Sequence, residues 1–102
     1  MAIVNILAKS NSLVEWVDLL NDFDGLDLSY VEIFPIPKEL GFDSDALGIN
    51  VQRRNLDREI ALTELKKVFD YCESRNFALT ELYDGMELKK ENFEGIIRKF
   101  LS

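Results

Sequence analysis

Residues 47–83 read LGINVQRRNLDREIALTELKKVFDYCESRNFALTELY, and three patterns follow one another in that stretch. Leu47, Ile49 and Val51 alternate with Gly48, Asn50 and Gln52, the two-residue period of a strand with one buried face. Near 56–75 the period lengthens, and Ala61, Leu62, Leu65, Val68, Phe69 and Cys72 fall along one side of a helix that stops at Asn76. Phe77 to Tyr83 returns to an extended segment, with Asp84-Gly85 as its turn. The phrase is strand, helix, strand.

Upstream, the same phrase covers Ala2 to Pro37. Residues 2–8, with Ile3, Val4, Ile6 and Leu7, are apolar with little alternation, as in a strand central to a sheet or covered on both faces. Ser12-Leu13-Val14-Glu15 matches a capping box, in which the serine hydroxyl and the glutamate each satisfy a backbone N–H of the first turn. Leu13, Trp16, Val17, Leu20 and Phe23 follow at helical spacing, and Asp24-Gly25 closes the helix. Leu26 to Pro37 reads as a long strand whose apolar phase changes after Tyr30, implying a bulge or two usable faces. Pro35 and Pro37 end its ladder, and residues 38–46 form a polar loop. From about Glu91 a third helix carries Phe93, Ile96, Ile97, Phe100 and Leu101 as a packing stripe.

Two such units in tandem predict one α+β domain over residues 1–102. The expected form is a ferredoxin-like β-α-β-β-α-β four-stranded antiparallel sheet with both helices on one face. The additional C-terminal helix would lie against an edge or the open face. A small three-layer α/β sandwich is the alternative.

A hydrophobic fraction of 47% supplies a core without metal or disulfide, and the single cysteine, Cys72, fits a reducing compartment. The first residues lack the basic start of a signal peptide, and no stretch approaches the ~20 apolar residues of a membrane helix. A cytoplasmic protein with no membrane partner is expected. Net charge is −7 and unevenly placed. From Glu15 to Asp45 stand nine carboxylates and one cation, Lys38. Phosphate binding works through Lys and Arg, so direct nucleic-acid binding is disfavoured, and Arg53-Arg54, the one basic pair near the sheet, reads as strand-end ion pairing. An acidic face instead steers a basic protein towards it. The plain alternative is a solvated surface that keeps a small domain soluble.

No catalytic set can be named. The chain has no histidine, which removes the commonest general base and transition-metal ligand. Cys72 lies on an apolar helix face, where a thiol behaves as a small hydrophobe. Asp43-Ser44-Asp45 suggests a calcium loop but puts Arg54 where a bidentate glutamate belongs. The five glycines show no phosphate-loop spacing, and Gly48 marks either a close approach to the backbone or an exposed small position. No enzyme activity, cofactor or metal is expected.

In size and charge the chain resembles immunity proteins and phage-encoded inhibitors that neutralise basic nucleases. The resemblance implies a protein-binding inhibitor that occludes the basic cleft of a nuclease or toxin partner, and it carries over no residue. From the sequence itself, Glu39, Phe42, Asp43 and Asp45 form the expected centre of contact, with Asp22, Asp24 and Asp27 as its flank. Tyr30, Phe34 and Phe42 surround this acidic loop and either rim it or fold inward. The alternative function is a homo-oligomeric regulatory domain, a homodimer in its simplest form, that binds a small ligand between subunits paired through an open face or edge strands.

Overall fold

The computed structural model describes residues 3–10, 16–36, 46–52 and 55–101. The capping box at Ser12–Glu15, the proposed contact centre (Glu39, Phe42, Asp43, Asp45) and Arg53-Arg54 lie outside them. The elements are β1 (Val4–Ser10), α1 (Trp16–Asp24), β2 (Val31–Ile36), β3 (Ala46–Val51), α2 (Arg58–Ser74), β4 (Phe77–Glu81), β5 (Met86–Leu88) and α3 (Phe93–Leu101). They form a small α+β domain whose single antiparallel sheet runs in the order β2-β3-β1-β4-β5.

The sheet therefore has five strands where four were expected. The fourth strand ends at Glu81 rather than Tyr83, residues 82–85 turn with Gly85 at φ +69°, and Met86–Leu88 pairs back on β4. Three residues hold only one and a half strand periods, too few for an alternation pattern to register.

Registry sorts the strands into two faces. Val4, Ile6 and Ala8 of β1 stand in line with Val51, Ile49 and Leu47 of β3, and Ala8 also faces Leu79 of β4. All of these belong to one buried core with Leu19 and Phe23 of α1, the stripe of α2 from Ala61 to Cys72, and Phe93, Ile97 and Leu101 of α3. The rings of Phe69 and Phe93 stack with centroids 4.6 Å apart, binding α3 to α2. All three helices cover the same face, which excludes the three-layer alternative among the described residues and places α3 beside α2. Leu19, which the expected α1 stripe omitted, is buried with Phe23 one turn on.

The ends of α2 follow local rules. Asp57 caps it by accepting the N–H groups of Glu59 and Ile60, and Asn76, at φ +63°, turns the chain out after Arg75.

Pro35 sits inside β2 instead of ending it, opposite Leu47. The reason is position: β2 is an edge strand, where a residue facing away from the sheet has no ladder bond to donate. Val31 donates to Glu64 rather than to β3, so Val31, Ile33 and Pro35 share the outward side, since backbone groups alternate along a strand. One of these three positions is capped and one lacks an N–H. At the other edge, β5 is three residues long and the carbonyl of Glu87 accepts Asn92 Nδ2 at 3.1 Å. Both edges are thus poorly prepared for pairing with another strand.

Candidate functional site

Of the expected flank residues, Asp24 and Asp27 lie beside the edge strand β2. Residues 18–32 hold Asp18, Asp22, Asp24, Asp27 and Glu32 and no lysine or arginine. As α1 ends, Leu26 N–H bonds Phe23 O and Asp27 N–H bonds Asp24 O, folding the chain back so that Asp24 and Asp27 come together. Asp27 takes φ +53°, a left-handed conformation that Asp and Asn tolerate best after glycine. The two aspartates line a cleft of about 470 Å³ with Phe23, Leu28, Val31 and Ile33. Chemically, this is a pair of exposed carboxylates beside apolar side chains, suited to the charged head and aliphatic stem of a lysine or arginine.

Asp22 does not join them. Its Oδ2 accepts Tyr71 Oη at 2.5 Å and a guanidinium N–H of Arg75 at 3.3 Å, and Arg75 lies 5.3 Å from the Tyr71 ring centroid. Burial, followed by the hydrogen bond to Asp22, pushes the Tyr71 hydroxyl up to about 12. With Phe23 edge-on to Tyr71 at 4.8 Å, this group fastens α1 to α2. Of the three expected flank residues, two line a cleft and the third is a structural tie.

A residue the sequence reading passed over organises the whole loop. Glu64 of α2 is 5% exposed, and its Oε1 accepts the N–H groups of Ser29, Tyr30 and Val31 at 2.9, 2.9 and 3.2 Å. A second buried carboxylate, Glu81, accepts Tyr83 N–H at 2.5 Å and Asp84 N–H at 2.8 Å and so shapes the β4–β5 turn. Both were visible as breaks of parity: Glu64 stands within the stripe that holds Ala61, Leu65 and Val68, and Glu81 follows Phe77 and Leu79 in alternation. An acid at an apolar position points to backbone amides waiting for it.

The aromatic rim divides. Tyr30 is half-buried against the core and its hydroxyl accepts the Asp57 N–H at 3.5 Å, whereas Phe34 is 39% exposed and covers Gly48. A Cβ on Gly48 would sit 2.4 Å from the Phe34 ring, so this glycine marks a close approach. Cys72 is fully buried, and burial pushes its thiol up to about 12, far from a reactive thiolate. No three Cys, Asp or Glu side chains among the described residues converge as a metal site would require, and no described helix is long and apolar enough to cross a membrane.

In the other half of the molecule three cations meet carboxylates of their own chain. Lys66 pairs with Glu94 at 3.0 Å, Arg98 with Glu59 at 2.7 Å, and Lys99 with Asp84 at 2.8 Å. Lys66 and Arg98 hold the Glu94 carboxyl below the usual carboxylate range.

Comparison with family models, with curated proteins and with solved structures finds no match to this chain.

Proposed function

We propose that this domain is a non-catalytic, protein-binding inhibitor that presents an acidic surface to a basic partner of the nuclease or toxin type. The observation that supports this reading most is the segregation of charge. Asp24 and Asp27 line an open cleft in a stretch without a cation, while Lys66, Arg98 and Lys99 are taken up by carboxylates of their own chain. Lysine and arginine side chains that hold phosphates in a nuclease cleft would pair with Asp24 and Asp27, and substrate would be excluded. Glu39, Phe42, Asp43 and Asp45 remain the proposed centre of that contact.

We propose further that four of the five strands make a ferredoxin-like core. The order β2-β3-β1-β4 and its antiparallel pairing support a ferredoxin-like core, to which β5 adds an edge.

The experiment is capture of a partner from host lysate on the tagged protein, eluted with a salt gradient, beside the variant Asp24→Asn/Asp27→Asn. Asparagine keeps the left-handed backbone of residue 27 while removing the charge. The expected outcome is a basic protein whose nuclease activity falls when the inhibitor is added back. The variant should associate about ten-fold more slowly and with a shallower salt dependence. Equal association rates for variant and wild type at low salt would remove Asp24 and Asp27 from the contact. A captured protein without suppressible activity would remove the inhibitor reading.

A further inference from the structure

Registry gives the outer edge of β2 an unequal set of hydrogen-bonding groups. Leu82 N–H bonds Asn5 O at 2.9 Å, so the odd-numbered residues of β1 serve β4 and the even-numbered ones serve β3. Carried through β3, the same parity turns Glu32, Phe34 and Ile36 towards the sheet and Val31, Ile33 and Pro35 away from it. Each of the three outward residues brings a carbonyl. Of their N–H groups, that of Val31 is held by Glu64 at 3.2 Å and Pro35 has none, which leaves Ile33. The edge therefore offers three backbone acceptors and one donor.

The side chains on either side of it share this bias. On the helix face, Val31 and Ile33 line the cleft with Asp24 and Asp27. On the open face, exposed Glu32 stands in register with Asn50, whose Oδ1 is buried and has no hydrogen-bond partner among the described residues. Residues 18–32 contain no lysine or arginine to answer these acceptors. A neutral strand fits poorly here, because most of its own outward carbonyls would find no donor. A segment rich in N–H groups and positive charge fits well.

Resting on the reading of this surface as the contact for a basic protein, we infer that the partner lays an extended segment antiparallel along β2, and that this segment reads apolar, basic, basic. The first basic residue stands beside Ile33 and exchanges both backbone hydrogen bonds with it. Paired residues of neighbouring strands share a face, so its side chain falls with that of Ile33 into the cleft, towards Asp24 and Asp27. Consecutive side chains point to opposite faces, which sets the second basic residue beside Glu32 and the preceding apolar one beside Phe34, 39% exposed. The contact is short, because Glu64 already occupies the N–H groups of Ser29, Tyr30 and Val31. Charge supplies most of the affinity, and an isolated peptide binds with a Kd on the order of 1 mM.

The probe is a blocked peptide, Thr-Val-Arg-Arg-Thr, titrated into the isotope-labelled protein at low salt and followed by the backbone amide signals. The Ile33 amide should shift and gain protection from exchange, while amides of α3 stay unchanged. Methylating the backbone nitrogen of the first arginine should weaken binding about five-fold or more, since it removes the donor to the Ile33 carbonyl. Asp24→Asn/Asp27→Asn should weaken it about ten-fold. Glu32→Gln, at an exposed position, should weaken it about three-fold, and only for a peptide that keeps the second arginine. An unmoved Ile33 amide at saturation, equal binding of the methylated peptide, or a Glu32→Gln effect independent of the second arginine would each overturn the inference. The two readings fail separately. Peptide binding at Ile33 stands even where the captured protein has no suppressible activity, whereas a nuclease suppressed with the Ile33 amide unchanged in the complex keeps the inhibitor and sinks this edge contact.

Discussion

At the scale of a residue, Gly48 and Phe34 show how one missing side chain shapes a sheet. The two are register partners on β3 and β2, and the Phe34 ring occupies the space a Cβ at 48 would need. Gly48→Ala must push that ring outward, at a cost of about 1–2 kcal/mol, the lower range for overpacking because an edge ring can yield. Once Phe34 has been cut to alanine the obstacle is gone, and Gly48→Ala should become neutral or slightly stabilising through the loss of glycine's freedom in the unfolded chain. A double-mutant cycle by urea unfolding measures the difference, and coupling near zero would mean that the ring does not cover the glycine in solution. The alternation around Gly48 was plain in the sequence. Which residue approaches it was not, because that depends on the registry of two strands separated by a long connection.

Elements are held in place by buried acids as well as by the core. α2 reaches across to the start of β2 through Glu64, whose one oxygen serves three amides. Glu64→Ala should cost about 2–3 kcal/mol, since one buried and two partly buried amides lose their shared acceptor. Glu64→Gln keeps an acceptor oxygen and should cost about 1 kcal/mol. Amide hydrogen exchange checks the assignment: Ser29, Tyr30 and Val31 should lose protection in the alanine variant, while amides of β3 and β1 lose only what global destabilisation requires. The helices and the first four strands were legible because periodicity is written in the residues themselves, but the expected long strand from Leu26 to Pro37 begins only at Val31. The change of phase at Tyr30 marks its start, and residues 26–30 are a connection held by Glu64 instead of a bulged strand. Glu64 was legible as an exception to that periodicity, although its three partners, more than thirty positions away, were not. The acidic flank failed for another reason. Asp22, Asp24 and Asp27 look like one group along the chain, but α1 turns Asp22 towards Tyr71 and Arg75 and leaves the other two beside the cleft.

Over the whole molecule, folding couples to pH on the alkaline side, through groups whose protons are held more tightly in the folded state. Cys72, wholly buried in the core, has its thiol pushed up to about 12, and Tyr71 beside it on α2 also stands at about 12. An unfolded chain releases these protons near their ordinary values, about 8.5 for cysteine and 10 for tyrosine. Between those values and about 12 the unfolded state binds fewer protons than the folded one, so stability must fall as pH rises. The full contribution of both groups is present below about pH 8 and is lost progressively towards pH 12. For Cys72 the loss is on the order of 5 kcal/mol at most, a large part of the stability of a domain this size. Denaturant midpoints across this range should therefore decline steeply. Cys72→Ala should begin lower, because it leaves a small cavity, yet decline less, because only Tyr71 remains to release its proton early. Parallel declines in the two proteins would show that the thiol contributes nothing to the alkaline limb, and that its burial in the core is looser than the fold requires.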